Sequence, residues 1–170
     1  MTIHSSHPFA DPDPDPVRRF RGRVTGTVAL VTAGGAVDRA GLTVSSLMVA
    51  NGEPARVLAL VDPDSDLAEV VQRTGRAVVQ LLSWSHRDLA EAFAGTAPAP
   101  GGPFRTGEFE DTDWGPRLAD ATSWATTTLE SATPVGWSSL LTLTVDEVVV
   151  GHDDEPLVHR RGRYVRPGAS

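Results

Sequence analysis

The chain has 170 residues and a formal net charge of −7, and it contains neither cysteine nor lysine, so its 15 lysine-or-arginine positions are all arginine. This length predicts one domain with a sizeable core. The missing cysteines exclude disulfides and cysteine-ligated metals, and the missing lysines exclude Schiff-base catalysis and a P-loop. The acidic charge argues against nucleic acids and anionic membranes as partners.

No apolar run is long enough to span a bilayer and the N-terminus shows no signal peptide, so we expect a cytoplasmic protein. The arginine-only, alanine- and glycine-rich composition is typical of a bacterium with a GC-rich genome. Residues 1–16 end in alternating aspartate and proline, which cannot form a full hydrogen-bond ladder. We therefore predict a disordered arm over residues 1–16 and one folded domain over residues 17–170, with a loop at residues 96–103.

Most of the domain has the pattern of β-strands. Continuous apolar runs predict strands buried on both faces, and β-branched residues alternating with polar ones predict half-buried strands. The predicted strands are residues 24–32, 42–48, 57–61, 77–82, 123–130 and 140–150. The Gly34-Gly35 pair predicts a hairpin turn between the first two of them.

Two short helices interrupt the strands. The first is predicted to begin at residues 64–66 and to end at Gly75, with Leu67, Val70 and Val71 buried. The second is predicted to take Ser85 as its N-cap, to bury Leu89 and Phe93, and to end at Gly95. A mainly β chain with short helices predicts a β-barrel covered by helices.

Two segments carry candidate functional residues. Residues 41–49 place Thr43, Ser45 and Ser46 along a strand, and residues 62–82 contain a strand that follows a capped helix. Hydroxyls and free backbone amides in this arrangement suit a phosphorylated planar cofactor. Strand alternation predicts Thr43 and Ser45 on one face and Ser46 on the other. The alternative is a half-exposed strand whose hydroxyls form cross-strand pairs.

Five segments in this order resemble the flavin-reductase family over about residues 20–165. They are GRVTGTVALVT, AGLTVSS, the segment DSDLAEVVQRTGRAVVQLL, the helix RDLAEAFAG and the closing EPLVHRRGRYV. The resemblance implies an FMN-binding split barrel that is homodimeric, with the flavin near the subunit interface. It also implies reduction of FMN, or of FAD or a deazaflavin, by NADH or NADPH, often in the service of a monooxygenase partner.

The resemblance also assigns residues to the cofactor. Thr43, Ser45 and Ser46 match positions that contact the flavin ring and ribityl chain, and Ser65 matches a serine on the FMN phosphate. Arg163 and Tyr164 match the closing strand, where such residues line the site. The alternative for these last two is a solvated edge strand blunted by charge.

Two positions depart from the family pattern. Members often have a basic residue at the position of Asp62 and a hydroxyl at that of Asp66, and they often have Gly-Asp-His where this chain has Gly136, Trp137 and Ser138. Without the histidine, no catalytic residue is assigned. No metal site is predicted, because the spacing of the histidines and aspartates within residues 152–159 fits no recognised site. Two readings stay open: an NAD(P)H-dependent flavin oxidoreductase, or a non-catalytic, repurposed split-barrel ligand-binding protein with weak or no FMN binding.

Overall fold

The computed structural model describes residues 15–153 and 155–168. Most of the predicted N-terminal arm, residues 1–14, lies outside that part. The arm was predicted to continue to residue 16, but a helix begins there, α1 (Pro16–Arg23). The Asp15 side chain accepts a hydrogen bond from Val17 N, and proline occupies the first turn. Both are favoured at a helix start, and this signal was hidden at the end of the Asp-Pro repeat.

The remaining elements follow in chain order. The other helices are α2 (Asp66–Thr74) and α3 (Arg87–Ala94), with 3₁₀ turns at Trp84–His86 and Pro103–Thr106. The strands are β1 (Gly26–Thr27), β2 (Ala29–Ala33), β3 (Ala40–Val44), β4 (Leu47–Ala50), β5 (Arg56–Val61), β6 (Arg76–Leu81), β7 (Phe109–Glu110), β8 (Arg117–Leu118), β9 (Trp124–Val135), β10 (Ser138–Val149), β11 (Val158–Arg160) and β12 (Arg163–Val165). None of the described helices is long and apolar enough to cross a membrane.

Seven strands form one antiparallel sheet in the order β3-β2-β6-β9-β10-β5-β4. Its two edge strands, β3 and β4, are consecutive in the chain and are separated only by Ser45 and Ser46. The sheet must therefore curl until its edges approach each other. A smaller sheet, β1-β11-β12, lies beside it. The predicted mainly β architecture with short helices is confirmed.

Two hydrophobic cores hold the molecule together. The first lies inside the curled sheet, where α2 contributes Leu67 and Val71 against the buried Leu141 and Leu143 of β10. The second lies under α3, whose Leu89 and Phe93 pack with Leu30, Leu157 and the partly buried Tyr164. Burial of apolar surface on this scale is the main source of folding free energy.

Two predicted strands are each divided in the structure. The first is divided at the fully buried Val28, between β1 of the small sheet and β2 of the large one. There Val28 N donates to Leu157 O, and Val28 O accepts from Leu82 N. The predicted strand 42–48 is likewise split into β3 and β4 at Ser45–Ser46, where pairing changes from β2 to β5. The hydrophobic pattern continues across the points where a strand changes its pairing partner, so these divisions could not be seen in the sequence.

The predicted helix limits are partly correct. Helix α2 begins after Ser65, whose hydroxyl accepts from Ala68 N, and it ends at Gly75 in the left-handed region (φ 71°), as predicted. The predicted N-cap Ser85 is wrong, because it lies inside a 3₁₀ turn. Ser83 caps that turn together with His86 in a capping box, and α3 begins only at Arg87.

Replacing Gln80, which is fully buried, tests how the β7–β8 segment is attached to the large sheet. Its amide nitrogen donates to Thr32 Oγ1 at 2.9 Å and its oxygen accepts from Leu118 N at 2.6 Å. We expect Gln80→Leu to lower the free energy of unfolding by about 2–4 kcal/mol, because it leaves buried polar groups without partners. Urea unfolding measures the loss. The matched control Gln72→Leu, on the exposed face of α2, should change it by less than about 0.5 kcal/mol; equal losses in both variants contradict this account.

Candidate functional site

The hydroxyl corner, Ser45 and Ser46, is where the two edges of the large sheet meet. The Ser46 hydroxyl donates to Leu60 O at 2.7 Å and accepts from Leu60 N at 3.1 Å. A side chain thus replaces the backbone ladder at the point where the chain turns from β3 to β4. Ser46 therefore fixes the corner to β5.

Ser45 is the hydroxyl at this corner that stays open. It is exposed, and its side chain makes no hydrogen bond with the described residues. Its carbonyl oxygen faces Gly26, where a Cβ atom would lie only 2.6 Å from it. Glycine at position 26 thus lets the backbone of β1 pass close to the corner.

Thr43 lies on the helical side of the corner. Its hydroxyl donates to Ala90 O in α3 at 2.7 Å. The predicted alternation of faces along residues 42–47 is wrong beyond Val44, because Leu47 packs into the same core as Leu42 and Val44. The reason is the break at the corner, which resets the period of two.

Ser65 lies at the end of β5 and the start of α2, on the same side of the molecule as the corner. Its hydroxyl donates to Asp62 O at 2.6 Å and accepts from Ala68 N at 3.2 Å. The Asp62 carboxylate accepts from Asp64 N at 2.8 Å, and Asp66 follows in the first helical turn. The hydroxyl predicted to face a phosphate is thus already used as a helix cap.

The charges around Ser65 do not suit an anion. A carboxylate about 4 Å from a phosphate costs about 1 kcal/mol per charge pair in water and about 4 kcal/mol near a protein surface, against about 0.3–1 kcal/mol from the helix end. The arginines of α2 and β6 are engaged elsewhere. Arg73 bonds to Asp38 at 2.6 Å and to Glu69 at 3.5 Å, and Arg76 bonds to Asp113 O and stacks on Trp114.

The β9–β10 hairpin brings its tip beside the same helix start, because Ser139 pairs with Val61 at the end of β5. Gly136 forms the turn with φ 56°, and Trp137 next to it is 95% exposed. The Trp137 ring therefore packs against nothing in the described chain. Neither Trp137 nor the following Ser138 can exchange a proton near neutral pH.

Arg163 and Tyr164 lie in β12 of the small sheet, two strands beyond β1, the strand that contacts the corner. Gly26 of β1 pairs with His159 of β11, which pairs with Tyr164 of β12. Burial raises the pKa of Tyr164 to about 12, and the Glu91 carboxylate adds to the effect. Burial also lowers the pKa of His159, and the positive charge of Arg21 lowers it further. Arg163 is exposed.

Ser46 bonds to Leu60 near the end of β5, and Ser65 follows that end of β5. Arg163 and Tyr164 lie apart from them in β12, and their assignment to one cofactor site stays a prediction. Sequence reasoning missed Gly26 and the arginines of α1. A glycine within the β-branched run VTGTV was the available signal, because it indicates close backbone approach.

Comparison with known proteins identifies the family. The model of the flavin reductase like domain matches residues 21–168. The chain belongs to the flavin reductase like domain family. A relative in Streptomyces nodosus subsp. asukaensis, the NADH-dependent FMN reductase AsuE2, is 29% identical over 95% of this chain and 89% of its own length.

A second relative and a solved structure extend the comparison. The 4-hydroxyphenylacetate 3-monooxygenase reductase component of Pseudomonas aeruginosa is 24% identical over 53% of each chain. The structure of the NADH:FAD oxidoreductase SgcE6 from Streptomyces globisporus superposes with a TM-score of 0.80 over 92% of this chain and 96% of that one, at 22% identity. The family fold, with its curled sheet, is thus the fold of this chain.

Substituting Gly26 tests the tight contact at the hydroxyl corner. We expect Gly26→Ala to lower the free energy of unfolding by about 1–3 kcal/mol, because its Cβ would meet the Ser45 carbonyl oxygen at 2.6 Å and force the backbone to shift. Gly22→Ala, in α1, is the control. Its Cβ would lie 3.8 Å from Arg161 Cα, an ordinary van der Waals distance, so the substitution should not destabilise the protein. Thermal or urea unfolding compares the two; a Gly26→Ala variant as stable as wild type contradicts the contact.

The titration of Tyr164 tests the packing of the small sheet on α3. Tyr164 is the only tyrosine, so phenolate absorbance reports it alone. We expect a midpoint near 12 in the folded protein, and near 10 in denaturant. Because the folded pKa is the higher one, the contribution of Tyr164 to stability is complete below pH 10 and is lost as pH rises toward 12. A midpoint near 10 in the folded protein contradicts the burial.

Proposed function

We propose that this protein is an oxidoreductase that uses NADH or NADPH to reduce FMN or FAD. The observation that carries the proposal is the family match over residues 21–168. The relative AsuE2 is named an NADH-dependent FMN reductase, and SgcE6 is named an NADH:FAD oxidoreductase. These names support a flavin and a nicotinamide cofactor as the reacting pair, and a deazaflavin is a further acceptor to test.

The hydroxyl corner fits the ring end of a flavin. Ser45 presents an exposed hydroxyl that makes no hydrogen bond with the described residues, next to the close backbone contact at Gly26. The hydroxyls of Thr43 and Ser46 already donate to the backbone, so they keep lone pairs as acceptors. We assign Ser45 to direct contact with the ring, and Thr43 and Ser46 to holding the corner in shape and accepting hydrogen bonds.

The chemistry of hydride acceptance is supplied by the flavin when it is bound. The protein residues orient the ring and exclude water from it. In the family assignment Ser65 contacts the phosphate at the flavin tail, and Arg163 and Tyr164 line the site. Ser65 can still accept one hydrogen bond, while the half-buried Tyr164 supplies a neutral hydroxyl at neutral pH because its pKa is about 12.

We also propose a bacterial, cytoplasmic homodimer that supplies reduced flavin to a monooxygenase. Exposed apolar side chains flank the corner and hairpin, which supports a subunit interface there. They are Met48, Val49, Leu60, Val135 and Trp137. The Pseudomonas aeruginosa relative is named as the reductase component of a monooxygenase, which supports such a partner. NAD(P)H is an intracellular cofactor, which supports the cytoplasm.

A second function is favoured by one observation. The hairpin tip has Trp137 and Ser138 and offers no ionisable group, and the α2 start is acidic. Such a site suits a split-barrel protein that binds a flavin or another ligand without oxidising NAD(P)H. The two functions differ in one measurable step, which is the oxidation of the nicotinamide.

Anaerobic mixing of the purified protein with NADH or NADPH tests the proposed function. Riboflavin, FMN, FAD and a deazaflavin are offered in parallel, and nicotinamide and flavin absorbance are followed together. We expect both to fall in proportion with at least one flavin. Quenching of flavin fluorescence without nicotinamide oxidation favours the second function. If neither quenching nor oxidation is seen, both functions are contradicted.

A substitution at Ser45 tests the ring site. We expect Ser45→Val to weaken flavin binding about tenfold, because one hydrogen bond contributes about 0.5–1.5 kcal/mol and the added methyl groups crowd the ring. Fluorescence titration measures the dissociation constant. Ser131→Val, at an exposed serine of β9, is the matched control and should bind flavin as wild type does. Equal affinity of the Ser45→Val variant removes Ser45 from the site.

A further inference from the structure

The start of α3 depends on a buried histidine. His86 is the last residue of the 3₁₀ turn before α3, and only 9% of its surface is exposed. Its Nδ1 atom accepts a hydrogen bond from Ser83 N at 3.1 Å, which is one half of the capping box at this turn. A ring nitrogen that accepts from an N–H group must have a free lone pair. The contact therefore requires a neutral imidazole with its proton on Nε2.

The other ring nitrogen of His86 faces an acid. Nε2 is buried and lies 3.1 Å from Oδ1 of Asp120, in the segment between β8 and β9. The two atoms lack the alignment of a hydrogen bond, so Nε2 has no hydrogen-bond partner among the described residues. The two nitrogens thus have opposite requirements. Nδ1 keeps its role only without a proton, whereas Nε2 gains an ion pair when the ring is charged.

The charged groups around His86 are mostly acidic. His86 lines a cavity of about 70 Å³ on one side and an open pocket of about 380 Å³ on the other. The titratable side chains that line these two spaces with it are Asp88, Glu108, Asp120, His152 and Asp153. The four carboxylates favour a positive charge on His86, and a proton on His152 opposes it. The guanidinium group of the neighbouring Arg87 is held over the Trp84 ring, 4.9 Å from its centre.

Ser83 lies where the two sheets are attached to each other. It follows β6 and caps the turn before α3. On one side of it Trp84 N donates to Glu155 O at 2.8 Å. On the other side Leu82 O accepts from Leu157 N at 2.9 Å. These two bonds join the end of β6 to the segment that leads into β11, so the Ser83 amide lies within the attachment of the small sheet to the large one.

We propose that His86 is a proton switch at the start of α3. When the ring is neutral, Nδ1 accepts from the Ser83 amide and closes the capping box. When the ring takes up a proton, Nδ1–H donates to the Ser83 hydroxyl, which already lies 3.0 Å away, and Nε2–H pairs with Asp120. The Ser83 amide then loses its acceptor, and the attachment of the small sheet loosens. Because histidine changes its charge between about pH 5 and 8, a fall in pH over that range is the signal.

Amide hydrogen exchange of the full-length protein, followed residue by residue by NMR, tests the switch. Protection factors are compared at pH 8.0 and pH 5.8 after correction for intrinsic exchange rates, and the ring ¹⁵N shifts of His86 report its charge. We expect the protection of the Ser83 amide to fall about three- to tenfold at pH 5.8, as for the loss of one hydrogen bond. Amides in the middle of β10 should keep their protection. No flavin or nicotinamide is present, so the result is independent of the proposed function.

Three variants separate the parts of the switch. Glutamine at this position of a capping box also accepts from the amide of the capping residue, but it takes up no proton in this range. We therefore expect His86→Gln to keep the Ser83 amide protected at both pH values. The matched control His152→Gln removes a histidine that lines the same cavity and should keep the wild-type response. Asp120→Asn removes the partner of the charged ring, so its loss of protection at pH 5.8 should be smaller.

Several outcomes overturn the proposal. They are a His86 ring that stays neutral at pH 5.8, Ser83 protection that is unchanged while the ring is charged, and an equal loss of protection in His86→Gln. A response that disappears in His152→Gln places the switch at His152 and is equally contrary. If His86→Gln leaves Ser83 unprotected at both pH values, the wild-type titration decides: protection that falls in step with the charge of the ring supports the switch, and protection that does not overturns it.

Discussion

The hydroxyl of Ser46 hydrogen bonds to both backbone groups of Leu60, and the closure of the curled sheet depends on this contact. The strands on either side, β3 and β4, are the two edges of one seven-stranded sheet, and the chain passes from one edge to the other in two residues. The neighbouring Ser45 is exposed at the same corner, so the proposed ring site lies where the sheet closes.

Charge is distributed around this corner with opposite signs on its two sides. The end of β5 and the start of α2 have Asp62, Asp64 and Asp66, while α1 and the β11–β12 hairpin have seven arginines without ion pairs in the described chain. The net charge of −7 conceals this separation. Because Coulomb interactions at a surface fall off within about a Debye length, each side acts locally on a bound ligand. The charge of a ligand bound at the corner therefore determines which of the two sides its charged group faces.

Much of the fold could be predicted from sequence, and the failures have physical causes. Apolar runs gave the strands at 57–61 and 77–82, and Ser65 and Gly75 gave the limits of α2, because these signals are local. The divisions at Val28 and at Ser45–Ser46 are set by tertiary pairing, which leaves the hydrophobic pattern unchanged. Helix α1 was missed because it has no buried face. The assignment of Thr43, Ser45 and Ser46 to a flavin ring rests on their hydroxyls and stays a prediction, whereas the close contact at Gly26 can be seen only in the fold.

The hairpin tip offers no ionisable side chain at Trp137 or Ser138, which bears on how the proposed reaction could proceed. In the proposed reaction a hydride passes between two cofactor rings, and the protein contributes mainly by holding them close and aligned. Alignment needs a fixed position for each ring and for each charged tail. In the proposed function, Ser45 at the hydroxyl corner fixes the position of the flavin ring. A serine in place of a histidine removes a proton donor but none of these positional constraints.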